Sequence, residues 1–317
     1  MGEEQHNEVG EAVVMKILIN RKPIYDKPWG GGNNFVKAFV ECGEKRGHSI
    51  VHEFLDDLDC IFIQDPRPSQ FDVSVYDIVD YKKSNPDTII AHRVNECDAR
   101  KGTSDMDNLL RWTSRSTDIT FFVSNWMSNY FNENVWGCEG REVIYNGVDK
   151  TVFSPKGKID NGKANIVTHH WSNNKMKGFD VYQLLDEFVG KAKDFTFTYI
   201  GRENGTFKNT KVVAPLFGKE LGDELGKYDV YISASRFDPG PNHILEALAC
   251  ELPTYAYIDG GGCLEMVDNK HVYSTFGELS DVLTNKVFYK NDFEVYNWEE
   301  CMRKYFTAME CLVDQNK

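Results

Sequence analysis

Short apolar segments alternate with longer amphipathic segments along most of the chain, and this alternation predicts strands connected by helices. The predicted strands of the first half span residues 14–20, 49–54, 60–64, 88–92, 119–124 and 143–145. Those of the second half span residues 165–169, 195–200, 211–213, 229–234 and 254–258. Because strands that alternate with helices pair in parallel through right-handed crossovers, the sequence predicts two doubly wound α/β domains.

Apolar side chains at helical spacing predict the connecting helices. In 33–46 one face carries Phe35, Phe39 and Cys42, and Gly47 follows where a C-terminal cap is expected. Further helices are predicted over residues 178–189, 219–227, 242–250 and 277–283. The segment 297–313 also has an apolar face, which predicts an amphipathic helix that packs on another surface. The residues of that face are Trp298, Met302, Tyr305, Met309 and Leu312.

Composition and length indicate where the domains end. Residues 153–163 (FSPKGKIDNGK) are rich in glycine and lysine and lack apolar periodicity, which indicates a linker. A chain of 317 residues is at the upper size limit of a single hydrophobic core, so two cores are expected. The sequence therefore predicts a first domain over 1–155, a second over 156–290, and a C-terminal helix within 291–317.

The balance of charged residues argues against some classes of partner. The chain has 36 Lys and Arg against 49 Asp and Glu, which gives a net charge of −13. Such an acidic protein is not expected to bind nucleic acid in general, or a membrane surface through a polybasic face. Because no apolar run reaches the roughly 18 residues of a spanning helix, no transmembrane segment is predicted.

Cysteine usage and the first residues predict the compartment. The eight cysteines have irregular spacing and form no C-x-x-C pair. That pattern is typical of reduced thiols in the cytosol, and not of a disulfide framework or a zinc site. Residues 1–11 are polar and acidic, unlike a secretory signal or a transit peptide. We therefore expect a cytoplasmic protein, and an enzyme.

The candidate site residues lie in loops that follow predicted strands, where open α/β sheets bind ligands. The first loop, 28–35 (PWGGGNNF), contains Gly30, Gly31 and Gly32 and opens the first predicted helix. Glycines let the backbone approach a ligand closely, and a helix N-terminus favours a phosphate. The motif is neither G-x-G-x-x-G nor a Walker loop, so a simple sharp turn is the alternative.

Two further loops offer groups that bind anions or hydroxyls. His92 is predicted at the end of a strand, where it could hydrogen-bond a substrate hydroxyl or phosphate; the alternative is a histidine bonded to nearby backbone. Lys175 and Lys177 immediately precede the helix predicted from residue 178, and two ammonium groups at a helix N-terminus suit a diphosphate. The alternative for each lysine is an ordinary solvent-exposed side chain.

The most specific segment runs from 235 to 262. Asp238 precedes a Pro-Gly-Pro turn, and Glu246 lies in the first turns of the helix that follows. The turn and the helix start consist of Gly240, Pro241, Asn242 and His243. This set suits a sugar diphosphate, because backbone amides hold phosphates while one carboxylate binds ribose hydroxyls and the other binds sugar hydroxyls. Loop glycines and solvated carboxylates explain each feature alone but not all of them together.

Taken together, these motifs resemble those of retaining glycosyltransferases of family four, which have the GT-B architecture of two facing Rossmann-like domains. The matching stretches are 30–33, 124–155, 177–180, 238–253, 260–265 and 298–305. Stretch 177–180 (KGFD) is similar to the Lys-Gly motif of the family, and 238–246 is similar to its two glutamates separated by seven residues. Stretch 298–305 is similar to the closing helix, which crosses back to the first domain.

The resemblance implies transfer of a hexosyl unit from a nucleotide diphosphate sugar to an acceptor hydroxyl with retention, without a metal ion or another cofactor. It implies that Lys177 binds the diphosphate, Glu246 the ribose and Asp238 the sugar. His92 is expected to reach the reacting sugar from the first domain. Backbone groups of 30–32 and 240–243 are expected to face the phosphates and the sugar.

Two residues of the candidate site depart from the pattern of the family. Asp238 stands where the family has a glutamate, and its side chain is one methylene shorter. Ser172 stands five positions before Lys177, where the family usually has an arginine. Lys175 and Arg202 are the two candidates for supplying the missing positive charge.

The sequence leaves alternatives open for the need for a metal ion, the identity of the acceptor and the type of activity. The Asp-x-Asp motifs at 57–59 and 105–107 do not follow strands, and no His or Cys cluster has metal-ligand spacing, so a cationic protein clamp is expected in place of a metal ion. The acceptor could be a soluble sugar, a lipid-linked sugar or a protein. The alternatives to a transferase are a non-catalytic partner or regulatory subunit that binds a nucleotide sugar, and a sugar-nucleotide epimerase of the same fold.

Overall fold

The computed structural model describes residues 13–25, 30–68, 73–131 and 136–316. Within these ranges the strands form two six-stranded sheets, in which all neighbouring strands are parallel. Helices connect most of the consecutive strands, so the predicted α/β fold with two doubly wound sheets is confirmed. Residues 1–11 and residues 28–29 of the predicted glycine loop lie outside the described residues.

The first sheet is built from the first half of the chain. Its strands are β1 (Lys16–Ile19), β2 (Ser49–Val51), β3 (Cys60–Ile63), β4 (Ile89–Val94), β5 (Ile119–Phe122) and β6 (Gly140–Val143). They lie in the order β2-β1-β3-β4-β5-β6. The helices of this half are α1 (Gly31–Lys45), α2 (Val75–Ser84), α3 (Asp98–Lys101), α4 (Met106–Ser114) and α5 (Asn125–Tyr130).

The second sheet is built from the second half. Its strands are β7 (Ala164–His170), β8 (Phe195–Gly201), β9 (Lys211–Val213), β10 (Val230–Ser233), β11 (Thr254–Tyr257) and β12 (Val272–Tyr273). They lie in the order β12-β11-β10-β7-β8-β9. The helices are α6 (Phe179–Lys191), α7 (Gly218–Leu225), α8 (Asn242–Ala249) and α9 (Phe276–Asn285), and short 3-10 helices include Lys175–Lys177 and Gly262–Glu265.

The last helix, α10 (Trp298–Gln315), follows the second sheet in the chain but packs on the first. A capping box fixes its start, because Asn297 and Glu300 each accept a hydrogen bond from the other's backbone N–H. On its buried face, Tyr305 lies edge-on against Phe35 and Phe121, with ring centroids 5.2 and 4.8 Å apart. The helix therefore completes the core of the first domain and brings its own N-terminus beside α1.

The predicted strands all occur, with shifted ends, but four helices of the first half are not predicted by the apolar pattern. These are α2, α3, α4 and α5, and each has at most three buried residues. Strand β4 extends to Val94, two residues beyond its predicted end, because the polar residues His92 and Arg93 are themselves buried in the sheet. The strand predicted at 143–145 lies earlier, over the range of β6.

Candidate active site

The cleft between the two sheets contains a cavity of about 860 Å³. Its walls come from segments that follow the carboxyl ends of β1, β4, β7 and β10, the position where open α/β sheets bind ligands. The lining residues include Gly30, Gly31 and Arg100 from the first domain and Lys177, Asp238, Gly240, Asn242, His243 and Glu246 from the second. Sequence-predicted residues from both halves of the chain are thus brought to one site.

Asp238 is the centre of a charge cluster that joins the two domains. Its Oδ2 lies 3.0 Å from Lys177 Nζ and 3.4 Å from Arg100 Nη2. The backbone fixes the position of the carboxylate, since Asp238 N–H donates to the carbonyl of Gly260 (3.1 Å) and Gly262 N–H donates to the carbonyl of Asp238 (2.8 Å). One carboxylate therefore holds a cation from each domain at the cleft.

Lys177 reaches Asp238 because of a tight turn between the 3-10 helix and α6. Gly178 has a φ of +79°, in the left-handed region that favours glycine, and a Cβ at this position would overlap the carbonyl of Ala234. Asn174 caps the 3-10 helix by accepting a hydrogen bond from Met176 N–H (2.8 Å). The Lys-Gly sequence therefore has a structural reason, because the glycine allows the lysine to approach the end of β10.

Neighbouring charges, and not burial, decide the ionisation of Asp238. Burial by itself raises the pKa of Asp238, but Lys177 and Arg100 outweigh it and hold that pKa well below its usual range. Burial lowers the pKa of Lys177, and Asp238 opposes this shift. His243 Nδ1 lies 3.9 Å from Asp238 Oδ2, and burial together with Lys177 lowers the pKa of His243 so that its ring is neutral at pH 7.

Glu246 lines the same cavity from α8, next to His169 at the end of β7. His169 Nε2 donates to Glu246 Oε2 over 2.6 Å. His169 Nδ1 is buried and has no hydrogen-bond partner among the described residues. The histidine thus orders one oxygen of the carboxylate, and the other oxygen can accept hydrogen bonds from ligand hydroxyls.

The N-termini of α1 and α8 meet in the cleft. A Cβ on Gly31, the first residue of α1, would overlap the side-chain amide of Asn242, the first residue of α8. Asn146 holds the same turn from the first domain, because its Nδ2 donates to the carbonyl of Gly240 (3.2 Å) and to Asn242 Oδ1 (2.6 Å). Two helix N-termini at one cavity provide positive potential in addition to the side-chain cations.

The prediction that His92 lies at a strand end in the cleft is wrong. Strand β4 continues past it, His92 is fully buried, and neither ring nitrogen has a hydrogen-bond partner among the described residues. Its ring lies 6.5 Å from that of Trp136, and burial lowers the pKa of His92 to about 3. His92 is therefore a neutral core residue behind the site.

The two basic residues predicted to replace the family arginine lie elsewhere. Lys175 is exposed on the 3-10 helix, and the guanidinium of Arg202 lies 4.1 Å from the ring centroid of Trp171. Within the part of the chain that the structure describes, neither residue lines the cavity, and nor do Gly32 and Pro241. Arg100, which follows β4, lines the cavity and was not selected from the sequence.

The described residues contain no group of three or more His, Cys, Asp or Glu side chains that could hold a metal ion. A search of the same residues finds no helix long and apolar enough to cross a membrane.

Solved structures with this arrangement include three proteins of sugar metabolism. HepE from Anabaena, in a complex with UDP and glucose, has a TM-score of 0.65 over 95% of this chain and 98% of its own, at 13% identity. Sucrose-phosphate synthase from Thermosynechococcus elongatus has a TM-score of 0.64 over 96% of this chain and 97% of its own, at 12% identity. WaaG, a glycosyltransferase involved in lipopolysaccharide biosynthesis, has a TM-score of 0.58 over 94% of this chain and 98% of its own, at 12% identity. The chain has the GT-B fold.

Sequence similarity to other GT-B proteins is low. No family model matches the chain. A probable sucrose-phosphate synthase from Thermosipho melanesiensis is 29% identical over 93 residues, which is 26% of this chain and 22% of that relative. The match spans about a fifth of the length of the relative. At these identities the GT-B fold is shared, and the activity has to be argued from the site.

Proposed function

We propose that this GT-B protein is a glycosyltransferase that moves a hexosyl unit from a nucleotide diphosphate sugar to an acceptor hydroxyl, with retention of configuration. The observation that carries the proposal is the cross-domain cluster in which Asp238 holds Lys177 and Arg100 at the carboxyl ends of both sheets. The GT-B neighbours support it, since HepE was solved with UDP and glucose and two others are sucrose-phosphate synthase and a glycosyltransferase.

The second domain offers a suitable group for each part of the donor. Ile200, Leu216 and Phe217 form an apolar wall of the cavity that suits a nucleobase. Glu246 is proposed to bind the ribose hydroxyls with the oxygen that His169 leaves available. Lys177 is proposed to bind the diphosphate. Because Oδ2 of Asp238 contacts the cations, Oδ1 is the oxygen expected to accept from a sugar hydroxyl.

Stabilisation of the departing diphosphate is proposed as the main catalytic contribution. The bond between the anomeric carbon and the diphosphate oxygen breaks, the acceptor oxygen forms its bond on the same face, and the acceptor proton passes to the leaving diphosphate. The developing negative charge would face Lys177 and the N-terminus of α8, whose positive charge is already in place. The two domains flank this site, and their closure over a bound donor would exclude water and limit hydrolysis of the donor.

The first-domain wall of the cavity supports a polar acceptor. Asn34, Lys37 and Glu41 line it from the solvent side of α1, and Glu299 lines it from the start of α10. Such a wall suits hydrogen bonds to several hydroxyl groups, and so to a sugar, whether free, lipid-linked or attached to a protein. The acceptor is therefore proposed to bind against α1 and α10.

The donor is identified first by binding. Thermal unfolding is measured with UDP, GDP, ADP and their glucose esters, because a ligand that binds only the native state raises the melting temperature. We expect the nucleotides of one base to raise the melting temperature clearly. The matching sugar nucleotide is then incubated with mono- and disaccharide acceptors, and NMR of the product reports the anomeric configuration. Activity is expected to persist in EDTA, as the proposed absence of a metal ion requires.

Two variants distinguish a transferase from a non-catalytic binding protein. Lys177→Ala and Glu246→Ala are expected to lower donor turnover by about 100-fold or more, because each removes a charged contact to the donor. Lys191→Ala, an exposed residue of α6, is the matched control and should retain full activity. Donor binding without transfer or hydrolysis by the wild type would refute the transferase and favour the binding partner. Conversion of the donor sugar without an acceptor would favour the epimerase.

A further inference from the structure

We propose that Arg100 is the second cation of the diphosphate site, so that the phosphates of the donor bind between one cation from each domain. This assignment deepens the proposed function and rests on it. The resemblance to family-four transferases implies that the second cation comes from the donor domain, at the position of Ser172. The serine hydroxyl accepts a hydrogen bond from Asn174 N–H (3.2 Å), and it cannot supply a charge.

The guanidinium of Arg100 is buried at the cavity with part of its hydrogen-bonding capacity unused. Arg100 is 8% exposed, and its Nη2 contacts Asp238 Oδ2 at 3.4 Å. Its Nη1 is buried and has no hydrogen-bond partner among the described residues. Because a buried charged donor without an acceptor is costly, an acceptor supplied by a ligand is the expected partner. A planar guanidinium can bind two phosphate oxygens at once.

Local structure directs Arg100, and not its neighbour, into the cleft. The carboxylate of Asp98 accepts hydrogen bonds from Met106 N–H and Asp107 N–H, both at 3.0 Å, and so ties the start of α3 to α4. Lys101 points the other way, to Glu96 at 3.1 Å, and is half exposed. Adjacent basic residues therefore have different environments, which makes Lys101 a matched control for Arg100.

The charges around Asp238 favour a diphosphate. Lys177 and Arg100 are two cations that share one carboxylate, so the cluster has an excess of one positive charge. His243 and His170 are held neutral by burial and add none. A diphosphate bound between the two cations would connect the domains through a second anion besides Asp238. Binding of the phosphates is thereby coupled to the approach of the two domains.

The test compares phosphate binding with nucleoside binding. Calorimetry measures the affinities of the wild type, Arg100→Ala, Arg100→Lys and Lys101→Ala for two ligands. The ligands are the nucleoside diphosphate that the wild type binds (UDP, GDP or ADP) and the corresponding nucleoside. We expect Arg100→Ala to weaken binding of the nucleoside diphosphate by about 10- to 100-fold and to leave the affinity for the nucleoside unchanged. Arg100→Lys should recover part of the loss, and Lys101→Ala should match the wild type.

Three outcomes would overturn the assignment. An unchanged diphosphate affinity in Arg100→Ala would show that the arginine does not contact the phosphates. Equal weakening of nucleoside binding and of nucleoside diphosphate binding would show that Arg100 acts only through its structural ion pair between the domains. If the wild type binds no nucleoside diphosphate, the proposed function itself fails, and the assignment fails with it.

Discussion

At the scale of single residues, the charge of the cluster around Asp238 is opposite to the charge of the protein. The chain carries a net charge of −13, yet two cations share one carboxylate in the cleft and the histidines beside them are neutral. An acidic protein that binds a diphosphate has to concentrate positive potential locally, because long-range repulsion otherwise opposes the approach of the anion. Lys177 and Arg100 provide this concentration, and they come from different domains.

Two adjacent polar residues of β4 have different roles because side chains alternate across a strand. Arg93 lies over the ring of Phe35, 4.0 Å from its centroid, and its Nη2 donates to Asn146 Oδ1 at 2.6 Å. Asn146 in turn holds the turn at Gly240 and Asn242. His92 points to the opposite face, where its ring lies 6.5 Å from that of Trp136.

The buried His92 should make stability depend on pH. Its pKa falls from the ordinary value to about 3 in the folded protein, so folding keeps it neutral. The contribution of the neutral His92 to the free energy of unfolding is complete above the pKa of a histidine in the unfolded chain, about 6.5. It is lost as the pH falls from there towards 3, by about 1.4 kcal/mol per pH unit. We expect the stability of His92→Leu, measured by urea unfolding between pH 7 and 4.5, to decrease less steeply than that of wild type.

The matched control for His92 is a nearby core substitution without a titrating group. Ile90→Val should lower the free energy of unfolding by about 1 kcal/mol at every pH. A pH dependence in His92→Leu identical to that of the wild type would contradict the assignment of His92 as a neutral core residue.

At the scale of elements, the site depends on the close approach of two helix N-termini. The first residues of α1 and α8 are Gly31 and Asn242, and no Cβ fits between them. Each helix follows the carboxyl end of a strand, β1 in one sheet and β10 in the other, so the parallel topology directs both N-termini to the cleft. The glycine is needed here because of packing between domains, and not because of an unusual backbone angle.

Gly31→Ala should therefore impair the site more than the fold. The added methyl group has to displace the side-chain amide of Asn242, which disturbs its hydrogen bond with Asn146 across the cleft. Binding of a nucleoside diphosphate is expected to weaken by about 10-fold. Calorimetry and donor turnover measure the effect, and circular dichroism checks that the fold is retained. Gly157→Ala is the matched control, since a Cβ there meets no atom within 4 Å. Full affinity in Gly31→Ala would refute the close approach.

At the scale of the whole molecule, polar contacts hold the two GT-B domains together beside the cavity. Glu265 of the second domain accepts hydrogen bonds from Asn125 N–H (2.9 Å) and from Tyr145 O–H (2.6 Å) of the first. Burial raises the pKa of Tyr145, and Glu265 raises it further, so the phenol remains a donor. The carboxylate therefore caps α5 across the domain boundary.

Glu265→Ala should loosen the arrangement of the domains. Loss of hydrogen bonds to a charged acceptor is expected to lower the free energy of unfolding by about 2 kcal/mol. Small-angle scattering should show a larger radius of gyration without ligand, and a saturating nucleoside diphosphate should reverse the increase. Glu187→Ala, an exposed residue of α6, is the control. An unchanged radius together with unchanged stability would contradict the role of this contact.

The fold class, the predicted strands, the helices with strong apolar periodicity and most of the second-domain site can be read from the sequence. Alternating apolar segments indicate parallel sheets because buried strands and amphipathic helices have different periods. Lys177, Asp238 and Glu246 could be selected because each lies in, or within two turns of, a segment that follows a strand and opens a helix. These are local signals, readable within one βα unit.

The first-domain residues that line the cavity become apparent in the tertiary structure alone. A strand end cannot be read from polarity when His92 and Arg93 are both buried, so the sequence favoured a residue inside β4 over Arg100, which follows that strand. Arg100 lies far from Lys177 and Asp238 along the chain and has no motif of its own. Its position depends on how α3 is held against α4 and how the two sheets face each other, and those long-range contacts leave no periodic signal in the sequence.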